Sequence, residues 1–144
     1  MELERISFIE RTCRQRGLAL TVQRRLILKE FISREDHPTA DQIYDGVRHQ
    51  IPGLSRTTVY RVLDTLVNVG VARKVSHPNA VVRFDPNMEP HHHLICESCG
   101  ELVDLADGAV EPIAIPDTRT SGFMVSNYSV NFTGLCCRCR NLPS

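Results

Sequence analysis

The stretch SRTTVYRVLDTLVNVGVARKVSHPNAVVRFD, residues 55–85, decides the fold, because its periodicity changes partway along. Ser55 is a favoured N-cap residue, and Val59, Val62, Leu63 and Leu66 recur at helical spacing, so a helix is predicted over Arg56 to Val69. Gly70 fits the left-handed stop. The period then becomes two, which predicts strands over Val71 to Ser76 and Val81 to Asp85, with His77-Pro78-Asn79-Ala80 as the turn.

Upstream the pattern stays helical. Leu3, Ile6, Ile9 and Cys13 mark a helix over 4–16 that ends at Gly17, and Thr21 can cap a second over 22–34. Thr39 and Gln42 form a capping box for a third, Ala40 to His49. Helices followed by a two-stranded ribbon describe a winged helix, a variant of helix-turn-helix. Asp85-Pro86-Asn87 breaks the pattern, which puts a winged-helix domain at 1–84 and a second domain at 85–144. The second reads as strands over His91 to Cys96, Glu101 to Leu105 and Phe123 to Phe132. Pro112 and Pro116 argue against a long helix between them. The expected fold class is α+β.

The net charge is zero, but its distribution is not even. Residues 1–83 carry 14 Lys+Arg against 9 Asp+Glu, and residues 84–144 carry 3 against 8. A basic binding module joined to an acidic module with another task is the natural reading. No apolar run approaches the roughly 18 residues of a membrane span, and the start lacks a signal-peptide core, so a cytoplasmic protein is expected. Five of the six cysteines lie in the acidic half, where a reducing cytosol favours metal ligation over disulfides.

Cys96/Cys99 and Cys136/Cys139 are two CxxC pairs. Two intervening residues let a tight turn aim both sulfurs at one metal, and four thiolates select Zn²⁺ in a closed, structural site. Cys137 is a competing candidate for the second pair, and the helical spacing of Cys13 favours a plain core role. A second, open site is suggested by His91 and His93, which share one face of a strand while His92 takes the other. Centring the first knuckle between Ser98 and Cys99 sets His93 opposite Asp104. Asp85 lies six residues before His91, and His37 can close the site from the basic half. Three imidazoles and two carboxylates suit Fe²⁺, Mn²⁺ or Zn²⁺. At the start of the 56–69 helix, Ser55, Arg56, Thr57, Tyr60 and Arg61 are candidate contacts to phosphates and base edges of double-stranded DNA.

Three segments together resemble the Fur superfamily of metal-dependent regulators: HPTADQIYDGVRHQIPGLSRTTVYRVLDTLVNVGV (37–71), FDPNMEPHHHLICESCGELVDL (84–105) and GLCCRC (134–139). The resemblance covers nearly the whole chain. It implies a homodimer of winged-helix domains on a central α/β dimerisation domain, repressing transcription at a palindromic operator. It also implies structural zinc on Cys96, Cys99, Cys136 and Cys139, and a regulatory Fe²⁺ or Mn²⁺ on His37, Asp85, His91, His93 and Asp104. Aspartate at 104 resembles the peroxide-sensing branch, in which oxidation would fall on His37 or His91. An iron-, manganese- or zinc-uptake regulator is the alternative. A metalloenzyme is a further class, since such ligands also serve hydrolysis, but it leaves the DNA-binding half unexplained; no enzyme activity is expected.

Overall fold

The computed structural model describes residues 2–77 and 80–141, without the side chains of 77 and 80. The chain divides into two compact units, Met1–Met88 and Glu89–Ser144.

The first unit holds four helices and a ribbon: α1 (Glu2–Gln15), α2 (Val22–Ser33), α3 (Ala40–Val47), α4 (Arg56–Val69), β1 (Arg73–His77) and β2 (Ala80–Asp85). Local chemistry sets the ends of the helices. The Thr21 hydroxyl accepts from the Arg24 N–H at the start of α2. At α3 the capping box is complete, with Thr39 Oγ1 accepting from Gln42 N–H and Gln42 Oε1 accepting from Thr39 N–H. Ser55 accepts from Thr58 N–H at α4. Gly70 ends α4 at φ 91°, and Val71 N–H donates to the Leu66 carbonyl. The helices close on one core that includes Ile6, Ile9, Ile27, Phe31, Ile43, Val59, Leu63 and Leu66, with Phe84 from the wing. Burying each such side chain stabilises by about 1.5–3 kcal/mol.

The wing is antiparallel, pairing Arg73 with Asp85, Lys74 with Phe84 and Val75 with Arg83. Its first strand starts at Arg73 where the alternation suggested Val71, because the Val71 N–H is already committed to the end of α4. Of the expected turn, residues 78 and 79 lie outside the described residues.

The second unit is a three-stranded sheet of order β4-β3-β5, built from β3 (His91–Cys96), β4 (Leu102–Ala106) and β5 (Asn131–Gly134). A 3-10 turn follows β4 at Asp107–Ala109, and a four-residue helix, α5 (Cys137–Arg140), follows β5. Strand β3 runs antiparallel to β4 and parallel to β5. The expected strand over Phe123 to Phe132 is a correction: its first part has no regular structure, and pairing starts at Asn131. The Val130 N–H donates to Nδ1 of His92, a side chain, so the ladder stops there. The 4–16 and 40–49 helices differ from the observed spans by one or two residues, the usual fraying margin.

Candidate metal centres and nucleic-acid interface

The thiol cluster follows from strand register. Parallel pairing of β3 with β5 sets Cys96 opposite Gly134, and Glu97 N–H donates to the Gly134 carbonyl at 2.8 Å. Cys136, two residues after Gly134, thereby comes beside the Cys96-to-Cys99 turn. Gly100 closes that turn at φ 77° and returns its N–H to the Cys96 carbonyl. The sulfurs of Cys96, Cys99, Cys136 and Cys139 all lie within 4.8 Å of one another. Cys99 Sγ is 3.7 Å from Cys136 Sγ. Four sulfurs at the ~2.3 Å zinc bond length occupy tetrahedron corners about 3.8 Å apart, so the cluster fits zinc. Cys137 is exposed and outside this group, and Cys13 is buried in the first unit's core.

The thiols are unequal. Hydrogen bonds from the backbone at Cys99, then Cys136, lower the Cys96 thiol to about 6, poising it as a thiolate. At Cys139 a hydrogen bond with Ser98 pulls downward, but Cys136, burial, Cys96 and Cys99 together push that thiol up to about 12. Glu101, then Cys136 and Cys99, raises the Arg138 guanidinium, which stands close enough to offset thiolate charge.

The five candidate regulatory ligands fall into two sets, one per unit. In the first unit the His37 and Asp85 side chains are buried, with His37 Nε2 3.5 Å from Asp85 Oδ2. The other Asp85 oxygen accepts from Asn87 N–H at 2.9 Å, which fixes the carboxylate plane. His37 has φ 51°, a region that costs an L-residue roughly 1–2 kcal/mol and in which histidine is enriched among the few that adopt it. It is held there by β2: Arg83 Nη1 donates to the His37 carbonyl at 3.1 Å, and Phe84 N–H donates to the Pro38 carbonyl at 2.9 Å.

In the second unit His93 faces Asp104 in the β3/β4 register, as the knuckle geometry anticipates. Asp104 Oδ1 lies 3.3 Å from His93 Nε2 and 3.5 Å from His91 Nε2. The two imidazoles meet edge to face at 4.6 Å. His91 Nδ1 is 2.7 Å from the Glu89 carbonyl, so it carries the proton and donates, which leaves Nε2 with the lone pair a metal needs. The imidazole–carboxylate pairs His37/Asp85, His91/Asp104 and His93/Asp104 stand 3.3–3.5 Å apart. That exceeds a good hydrogen bond and matches the about 3.4 Å edge of a tetrahedron with ~2.1 Å metal–ligand bonds. The His37/Asp85 and His93/Asp104 pairs therefore each fit ligands of a divalent ion, and His91 is not among the donors that lie within 4.8 Å of one another.

His92 faces elsewhere. Its Nδ1 accepts from Val130 N–H, so Nε2 carries the proton and donates to Asp107 Oδ1, each at 2.9 Å, with Tyr128 stacked at 6.0 Å. Both ring nitrogens are thus committed, and His92 works as a clip between β3 and the Val130 end. Sequence reasoning missed this clip, the Glu89 carbonyl and Arg83. The alternation of β2, which sets Arg83 on the face of Asp85, was the available signal for the last.

On α4, Arg56, Thr57, Tyr60 and Arg61 form an exposed stripe. Arg56 lies over the Tyr44 ring at 4.6 Å and 3.7 Å from Asp41. Tyr60 packs edge-on against Phe84 at 5.8 Å. Ser55 is exposed, but its hydroxyl is spent on the cap and on Thr58 Oγ1 at 2.9 Å. Among the described residues no helix is long and apolar enough to cross a membrane.

A winged helix with an exposed, arginine-bearing stripe on α4, followed by a sheet that carries a four-thiol cluster and a His/Asp set, defines a winged-helix protein with candidate metal sites. The model of the ferric uptake regulator family matches residues 15–133, and the chain belongs to that family. It is 33% identical over 128 residues to the peroxide-responsive repressor PerR of Staphylococcus aureus, covering 89% of this chain and 86% of that protein. Among solved structures it resembles the ferric uptake regulator of Francisella tularensis with iron, with TM-score 0.71 and 27% identity over 87% of this chain and 96% of that one. It also resembles a zinc uptake regulator complexed with zinc and DNA, with TM-score 0.68 and 26% identity over 97% of this chain and 95% of that one.

Proposed function

We propose that this protein is a cytoplasmic, homodimeric, metal-dependent repressor that binds a palindromic DNA operator. In this reading the thiol cluster holds structural zinc, and one regulatory Fe²⁺ or Mn²⁺ is shared by His37 and Asp85 with His91, His93 and Asp104. The observation that carries it is the co-ligand spacing in both units: two donors in one and three in the other, each set short of a full coordination shell. A divalent ion held by these residues would supply the bonds that join the sets and, as ferrous iron, would activate peroxide for transfer of one oxygen atom. The chain's own part is geometric. Joining the sets fixes the winged helix relative to the second unit, and in a two-fold dimer that fixes the separation of two α4 helices. Half-sites about 34–36 Å apart, or a multiple, demand one separation. By linkage, operator binding raises metal affinity by the same factor that metal raises operator affinity.

The finer reading is peroxide sensing. The ring of His37 or His91 gains one oxygen atom from hydrogen peroxide, with water as the other product, and the altered ring no longer serves as a ligand. The identity to a peroxide-responsive repressor favours it. Regulation of iron, manganese or zinc uptake is the second reading, favoured by the iron-bound and zinc-bound relatives. The test is a DNA-binding titration metal by metal, with and without peroxide, on a duplex selected from a random-sequence pool. Peroxide sensing requires loss of binding by the Fe²⁺ form, with a 16-dalton gain on a peptide containing His37 or His91. Retained binding without that gain assigns the protein to uptake control. Metal-independent binding refutes both.

A further inference from the structure

We propose that strand β2 couples the His37/Asp85 ligand pair to the DNA-reading helix inside the first unit, with Arg83 positioning His37 and Phe84 transmitting to Tyr60. The inference rests on the function proposed above, because it assigns to this strand a share of the metal's effect on DNA affinity.

Three consecutive residues carry it. Arg83 donates to the His37 carbonyl, Phe84 N–H donates to the Pro38 carbonyl, and Asp85 faces the His37 ring. Strand alternation projects the side chains of Arg83 and Asp85 to one face and that of Phe84 to the other. On the first face, residue 37 is the non-glycine with positive φ among the described residues. Such a conformation persists only where its surroundings over-determine it, and two tethers from one strand provide that. On the second face the Phe84 ring is fully buried and bears edge-on against Tyr60 at 5.8 Å and 84°. Lys74 Nζ lies 5.5 Å from the Tyr60 ring and 5.9 Å from the Phe84 ring, closing the other side. Tyr60 belongs to the exposed stripe of α4.

One strand therefore touches both the ligand pair and a reading side chain. A metal that binds better when residues 37 and 85 are held together favours one setting of β2, and any setting of β2 is felt at Tyr60. A ligand shifts a conformational equilibrium by its differential affinity for the two states, and here both ligands have contact with the same element.

The test uses the full chain, Mn²⁺ as the metal, and a labelled duplex that Mn²⁺-loaded wild type has selected from a random pool. Arg83→Met is expected to weaken Mn²⁺ binding in calorimetric titration about tenfold, the lower end for loss of a group that orients a ligand, and Arg83→Lys to recover most of it. Phe84→Leu keeps the backbone tether, so Mn²⁺ affinity without DNA should stay within about twofold while the Mn²⁺-dependent gain in duplex affinity shrinks about fivefold. Phe84→Met is the second variant, and circular dichroism verifies the fold of both. Wild-type Mn²⁺ affinity in Arg83→Met, or a wild-type gain in both Phe84 variants, overturns the inference alone. A wild type whose duplex affinity ignores Mn²⁺ overturns the regulator reading and this inference with it.

Discussion

Replacing Cys99 by serine removes one of four sulfurs from a cluster in which it stands 3.7 Å from Cys136. Zinc bound by peptides of this ligand type contributes roughly 10–16 kcal/mol, so an equal share per thiolate is about 2.5–4 kcal/mol. At 1.36 kcal/mol per tenfold, zinc affinity should fall by about two to three orders of magnitude. The consequence for folding is larger than for a typical metal site. Beyond residue 88, among the described residues, the buried apolar side chains are Ile95 and Cys96. A buried aliphatic side chain supplies about 1.5–3 kcal/mol, well short of what zinc in the cluster would supply. The first unit, with its four-helix core, has no such dependence. Cys99→Ser should therefore release zinc to a chromogenic chelator that wild type withstands. In calorimetry the transition of the second unit should be lost while that of the first remains. Zinc retained at one per chain through the same challenge, with both transitions intact, would refute the reasoning.

Two further outcomes are expected. Ser55→Ala deletes the N-cap of α4 and should cost about 1 kcal/mol in urea denaturation, with weaker DNA binding in the same variant, since the first turn carries Arg56 and Thr57. His92→Ala leaves the Val130 N–H without its acceptor, which should cost about 1–3 kcal/mol in chemical denaturation, yet the number of metals bound per chain, read by elemental analysis, should not change.

The parts of this structure that were legible in the sequence are those whose cause is local. Ser55, Gly70 and the four apolar positions between them define α4 because a cap, a left-handed stop and a core-facing stripe are each short-range signals. The opposition of His93 and Asp104 was legible because the thiol knuckle fixes the centre of its own hairpin, and register propagates outward by counting. Periodicity reports which side chains face a core, and it fails where little core exists. Phe123 and Met124 look like strand residues, yet they are 73% and 93% exposed and belong to no strand. The strained backbone at His37 was also invisible, because its cause, Arg83, lies 46 residues away.

The proposed division of labour between two metal sites has an energetic logic. A metal that builds a fold must be bound too tightly to exchange, and a thiolate cluster with one thiol already lowered to about 6 meets that need. A metal that reports conditions must leave without unfolding what holds it. His37 and Asp85 satisfy this, because their places are set by protein contacts: the Arg83 and Phe84 tethers, the Asn87 N–H and the helical core behind them. His91 is likewise aimed by the Glu89 carbonyl before any ion arrives. Ligands oriented in advance lose little entropy on binding, so a site of intermediate affinity can still carry the 1–3 kcal/mol of coupling typical of a regulator. Chelation at moderate strength should accordingly strip the His/Asp site and release DNA while leaving the thiolate zinc and both folded units in place. If DNA release occurs only together with zinc loss and unfolding of the second unit, the two sites do not have separate roles.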